Sequence, residues 1–153
     1  QPVESFKSAA MDHGNETEPQ ARASYELETG SDVVEVGFIP HPLLLNTGAS
    51  PDGLIGELGM VEIKCPQPPK HIKNLMGGTI DKAYQLQMQW QMECTGREWC
   101  DFVSFNPTFP PHLHLQITRV EADAEAQAGI KAAVTSFIAE VESKLRVLEA
   151  RAA

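Results

Sequence analysis

Three charged side chains, Asp52, Glu62 and Lys64, stand in the order Asp, nine residues, Glu, one residue, Lys. Val61, Glu62, Ile63 and Lys64 alternate apolar and charged, as in a β-strand with one buried face. Glu62 and Lys64, two apart, project from the same face. The Pro51-Asp52-Gly53 turn ahead of the strand can bring Asp52 beside Glu62. Two carboxylates and an ammonium on one spot make a place for a divalent cation and an activated water. Magnesium takes hard oxygen ligands in octahedral geometry and keeps several waters. Two carboxylates plus a backbone carbonyl leave room for water and a phosphate oxygen. An ion bound there polarises a phosphoryl group and lowers the pKa of an attacking water. The lysine can orient that water or offset developing charge. The plain alternative is a surface hairpin carrying a Glu–Lys pair. The Pro-Asp-Gly turn, the spacing and the apolar strand weigh against it.

Other residues could join this site. Glu18 lies in Gly14-Asn15-Glu16-Thr17-Glu18-Pro19 and could supply a third carboxylate. Read locally, Glu18 and Glu16 are also favourable acids at a helix N-terminus, and Pro19 suits a first helical turn. Tyr84, Gln87 and Gln91 recur at i, i+3 and i+7 and form a polar helical stripe beside the apolar Ala83, Leu86 and Trp90. Gln87 could bond a phosphate or an ion-bound water, and Tyr84 a nearby phosphate. Without the acidic pair nearby, the same stripe reads as a solvated helix face. Ser50 could bond a phosphate or cap its own turn. Trp90 and Trp99 read as core.

The elements that must position these residues follow from periodicity and punctuation. A helix is expected over 16–29, stopped by Gly30. Strands are expected at Val33–Ile39 and Thr47–Ser50, a hairpin over Asp52–Gly59, and the central strand at Met60–Lys64. Pro66, Pro68 and Pro69 end that strand, and a short helix follows over Pro69–Met76. A second firm helix runs Asp81–Thr95, with Asp81 near its N-cap and Gly96 past its end. Strands are expected at Trp99–Phe105 and Leu113–Val120. From Glu121 onward the chain reads as helix. Its stripe of Ile130, Val134, Phe137, Ile138, Val141, Leu145 and Leu148 is expected to pack on the sheet or on a neighbouring subunit. This order gives one α/β domain, a mixed sheet covered by helices.

Composition bounds the function. The chain has 153 residues, 42% hydrophobic and 22% charged, enough for one domain with a real core. No apolar run approaches the roughly 18 residues of a membrane span, and no signal peptide opens it. Cys65, Cys94 and Cys100 lack paired spacing, which disfavours a zinc site or disulfide framework and fits a reducing cytoplasm. His112 and His114 read as a solvent-facing pair on one strand face. A net charge of −9 argues against a general electrostatic nucleic-acid binder, though not against an enzyme with its basic residues in one channel.

Taken together, Gly48-Ala49-Ser50-Pro51-Asp52-Gly53 and Glu62-Ile63-Lys64-Cys65-Pro66 resemble the lambda-exonuclease-type (YqaJ-like) viral recombinases of the PD-(D/E)XK nuclease superfamily. Gly14 to Glu18 fits as well. So do Tyr84-Gln85-Leu86-Gln87-Met88-Gln89 and Thr95-Gly96-Arg97 ahead of Trp99–Phe105. The ordered match covers about residues 13–120. The resemblance implies a restriction-endonuclease-like α/β core, a central mixed sheet flanked by helices. It implies a processive 5′-to-3′ exonuclease on linear double-stranded DNA that leaves 3′ overhangs for a single-strand-annealing protein. It further implies magnesium or manganese, two ions per site, a homotrimeric ring threaded by DNA, and a bacterial or prophage-encoded cytoplasmic protein. Carried over by position, Asp52, Glu62 and the carbonyl of Ile63 would hold metal, and Glu18 would help hold a second ion. Lys64 would position the attacking water, with Gln87 and Tyr84 in support. An acidic outer surface would keep DNA off wrong places while Lys70, Lys73 and Lys82 face the channel. Family members grip the 5′ phosphate with an Arg and a Thr-Ala-Ser segment on an N-terminal helix. Nothing before His13 matches it, so either that segment is expected upstream of Gln1 or this chain is altered there.

Two other readings share these residues. A related endonuclease or nickase would use the same core and differ on closed circular DNA. A binding module with a decayed site is disfavoured by the intact Asp52, Glu62 and Lys64.

Overall fold

A computed structural model of the chain describes residues 9–152, and their side chains from residue 16 onward. The chain runs α1 (Ala9–Thr29), β1 (Ile39–Pro40), β2 (Gly48–Ala49), β3 (Gly53–Ile55), β4 (Gly59–Lys64), α2 (Pro68–Leu75), α3 (Lys82–Thr95), β5 (Trp99–Phe105), a 3₁₀ turn (Pro111–Leu113), β6 (Leu115–Glu121) and α4 (Ala124–Ala150). Strands β3-β4-β5-β6 form one sheet in that order. The β3–β4 and β5–β6 pairs are antiparallel, and the central β4–β5 pair is parallel. A parallel pair needs a long crossover, and α2 with α3 supplies it. β1 and β2 form a separate two-stranded ribbon.

Period-two alternation gives the sheet two different faces. Val61 and Ile63 of β4 join Val103 and Phe105 of β5 beneath Ala21 and Tyr25 of α1. Met60, Cys100 and Phe102 face the other way and pack with Met88 and Met92 of α3. β4 is thus buried along Gly59–Ile63, and its charged residue Glu62 is committed to the α3 face.

Local chemistry fixes the ends. Gly53 opens β3 where an added Cβ would lie 2.3 Å from Val33 Cγ1, so a larger residue would have to displace Val33. α3 stops at Gly96, left-handed at φ 69°, whose N–H donates to the Met92 carbonyl. α4 starts where Asp123 accepts from Ala126 N.

Several expectations need correction. Val33–Ile39 is not a strand: Val34 alone bridges Leu54, and pairing resumes only at Ile39–Pro40. The β-prone residues there are largely exposed, Val34 at 57% and Phe38 at 65%, so no packed face rewards a ladder. The first helix begins at Ala9, which places Pro19 inside it rather than in its first turn. β6 runs through Glu121, so α4 starts after it. Leu113 belongs to the 3₁₀ turn, and His112 and His114 share no strand. His112 is exposed, while His114 Nε2 bonds the Phe109 carbonyl at 2.5 Å. The first half of α4 reaches α3 through Gln127 to Gln89 and Lys131 to Glu93, while Ile130 and Val134 line a groove with Leu86. Beyond it Phe137, Leu145 and Leu148 are exposed. Residues 1–8, which precede the match expected from His13, lie outside the described residues.

Candidate functional site

The hairpin register builds the site. Gly53 pairs with Val61, and one step further Asp52 stands opposite Glu62. Asp52 Oδ2 accepts the Ile63 N–H at 2.7 Å, which ties the turn to the strand. Glu62 is 2% exposed. Lys64 Nζ lies 2.9 Å from Glu62 Oε1, and Gln91 Nε2 of α3 donates to Glu62 Oε2 at 3.2 Å.

Electrostatics at this point are unfavourable without a cation. Burial pushes the Asp52 carboxyl up to about 7, and the nearby Glu62 carboxylate adds to it. Glu18 contributes in the same direction, while the Ile63 N–H and Lys64 pull it back. Burial works against the Lys64 ammonium, but Glu62 and Asp52 outweigh it and raise its pKa. Crowded carboxylates of this kind mark functional centres.

The side chains fit a divalent ion of the magnesium type. No three His, Cys, Asp or Glu groups converge as a closed metal cage among the described residues. Magnesium does not need one: it binds through one or two carboxylates and completes its shell with water and phosphate. Asp52 and Glu62 supply that pair, and their mutual repulsion is what a dication relieves. Glu18 senses Asp52 across the cleft but is held by Arg22 at 3.3 Å, which also pairs with Glu35 at 2.9 Å.

A cavity of about 260 Å³ opens beside Lys64, lined by Cys65, Gln67, Lys70, Asn74, Tyr84 and Phe102 among others. Lys64 and Lys70 both sit over the Tyr84 ring, 4.5 and 5.0 Å from its centroid. Lys70 and Lys73 converge on Asp81, at 2.5 and 3.2 Å. Asp81 is the N-cap residue of α3, as expected, but its side chain makes no cap bond. Lys82 lines a separate groove between α3 and α4 with Leu86 and Ala126, so the three lysines do not form one patch.

The structure thus brings together Asp52, Glu62, Ile63 and Lys64, with Tyr84 alongside and Glu18 within electrostatic range. Gln87 is exposed, and its neighbour one turn on, Gln91, makes the contact to Glu62. Ser50 is exposed two residues before Asp52. Gln91 was visible in the polar stripe, but helical spacing alone could not say which glutamine turns inward. Trp90 donates to the Gly48 carbonyl and stacks on His41, a packing role.

A mixed sheet with one carboxylate at the turn into β3 and a carboxylate and a lysine on β4, backed by helices on both faces, is the architecture of a PD-(D/E)XK nuclease. The sequence profile of the YqaJ-like viral recombinase domain matches residues 1–98. A solved alkaline exonuclease, LHK-Exo from Laribacter hongkongensis, is 46% identical, with a TM-score of 0.93 over 96% of this chain and 76% of that one. The same enzyme in complex with dAMP aligns equally well, over 97% of this chain and 76% of that one. A phage-related exonuclease from Haemophilus somnus shares the fold at 16% identity, with a TM-score of 0.66 over 93% of this chain and 76% of that one. No curated protein matches. The chain belongs to the YqaJ-like viral recombinase family and is a nuclease of that family. Among the described residues, no helix is long and apolar enough to cross a membrane.

Proposed function

We propose that the chain is a divalent-metal-dependent exonuclease that digests linear double-stranded DNA from 5′ to 3′ and leaves 3′ overhangs for a single-strand-annealing protein. The observation that carries this is the buried Asp52–Glu62 pair with Lys64 2.9 Å from Glu62. Family membership and the alkaline exonuclease relative support the exonuclease direction. Asp52, Glu62 and the Ile63 carbonyl would hold magnesium or manganese, with Glu18 toward a second ion. Bound there, the ion would polarise the scissile phosphoryl group and stabilise the leaving oxygen. Lys64, 2.9 Å from Glu62, would orient the attacking water. Tyr84 places both Lys64 and Lys70 along the cavity where the DNA strand runs. A homotrimeric ring would hold the enzyme on its substrate.

The test is digestion of linear duplex with a 5′ phosphate in magnesium. The Lys64→Ala variant is expected to lose roughly 100- to 1000-fold in rate. Digestion at the parent rate would remove Lys64 from the mechanism. Closed circular DNA should stay intact; nicking of it would favour the endonuclease reading instead.

A further inference from the structure

Gln91 carries an incomplete hydrogen-bond set against Glu62. It is 3% exposed, and its Nε2 donates to Glu62 Oε2 at 3.2 Å. Its Oε1 is buried with no partner. Exchanging the two amide atoms does not help, because an oxygen would then face a carboxylate oxygen. Glu62 therefore fixes the amide's orientation. The polar groups around it are engaged: Lys64 with Glu62, the Ile63 N–H with Asp52, and the Thr95 hydroxyl with the Gln91 carbonyl at 2.8 Å. An orphaned buried acceptor costs roughly 1–3 kcal/mol, and native proteins rarely leave one.

We propose that Gln91 is a positioning residue for the divalent ion. Its amide nitrogen holds Glu62 in place from behind. Its Oε1 accepts a hydrogen bond from a water that enters with the hydrated cation. Outer partners of this kind orient ligands and tune affinity. The proposal rests on the ion centre proposed above. It differs from the expectation for Gln87, which lies exposed one turn earlier.

Mn2+ binding by calorimetry on the full chain, without DNA, tests it alongside melting in EDTA. Gln91→Met removes both amide ends at similar length. Its Mn2+ affinity should fall roughly 10- to 100-fold, while its melting temperature in EDTA changes little, because removing the orphaned acceptor offsets the lost donor to Glu62. A lower melting temperature with unchanged Mn2+ affinity would assign Gln91 a packing role only and overturn the proposal. Gln91→Leu guards against a misfolded first variant. It also removes both amide ends, with a different shape, so it should weaken Mn2+ binding to a similar extent. Unchanged Mn2+ affinity in a folded Gln91→Leu would also overturn the proposal. Failure of the centre itself looks different: the parent would then bind no Mn2+, or Asp52→Ala would bind it as well as the parent.

Discussion

Glu62 and Asp101 lie on neighbouring strands and are equally buried, each 2% exposed, yet their surroundings treat the charge in opposite ways. Asp101 projects to the α1 face. Arg119 reaches it with Nε at 2.9 Å and Nη2 at 3.1 Å, and the Tyr25 hydroxyl donates at 2.6 Å. Arg119 is itself stacked 3.7 Å over the Trp99 ring. That carboxylate has a geometrically matched partner and a further donor, and the Tyr25 hydroxyl is held protonated by burial and by the anion it serves. Glu62 projects to the α3 face, where a second carboxylate stands opposite it and one lysine serves both. The first arrangement is complete as it stands. The second lacks that balance, and the proposed cation would complete it. Burial alone therefore does not distinguish a structural carboxylate from a functional one; the balance of charge around it does.

The largest expected effect separates the two sites by activity. Glu62→Gln keeps the shape and removes a charge from the proposed ion site. It should cut DNA digestion roughly a thousandfold, about 4 kcal/mol of transition-state stabilisation. Asp101→Asn should digest DNA at close to the parent rate once folded. Equal losses in the two variants would mean that both faces of the sheet feed the chemistry.

Stability reverses the ranking. Asp101→Ala strands Arg119 and Tyr25 and should cost about 3 kcal/mol in chemical denaturation. That is the low end for a broken buried pair, because the Arg119 side chain is half exposed. Glu62→Gln in EDTA should cost far less, since it also relieves repulsion with Asp52. A smaller loss for Asp101→Ala than for Glu62→Gln would undo the contrast.

This difference also explains what could be read from the sequence. β4, α3 and β5 were legible because their signals are local: alternation in Val61–Lys64, Gly96 at a helix end, apolar periodicity in between. The hairpin placed Asp52 by register, so the Asp52–Glu62–Lys64 cluster was visible too. Non-local partners were not. Nothing near Asp101 in the sequence announces Tyr25, 76 residues away. Nothing near His71 announces Ser104 at 2.8 Å or the Leu113 carbonyl at 2.7 Å, the bonds that clamp α2 against the sheet. Asp81 looked like a helix cap because its position is right, but two lysines from α2 claim its side chain. The strand expected at Val33–Ile39 failed for the reciprocal reason. Its residue types favour a strand, but strands need a neighbour and a buried face, and before Ile39 this segment has one bridge.

The smallest effect concerns Asp52 and is read as a pH dependence. Its pKa is raised from 3.8 to about 7 in the folded chain, so the folded state holds a proton there more tightly than the unfolded state does. For a raised carboxyl, that stabilisation is fully present below pH about 4. It fades as pH climbs and is gone above about 7. Asp52→Asn cannot lose the proton, and its side-chain oxygen can still accept the Ile63 N–H. In EDTA, the parent should therefore lose ground to Asp52→Asn between pH 4 and pH 8, by a few degrees in melting temperature at the upper end. Excess Mn2+ at pH 8 should reverse the order, because only the parent offers two carboxylates to the ion and gains stability from binding it. The Asp101 site supplies the internal control: Asp101→Asn should shift the melting temperature by nearly the same amount with and without Mn2+. Parallel parent and Asp52→Asn curves in EDTA would show that Glu62 and burial do not strain Asp52, and the distinction between a completed carboxylate and one awaiting a cation would fail at its most sensitive point.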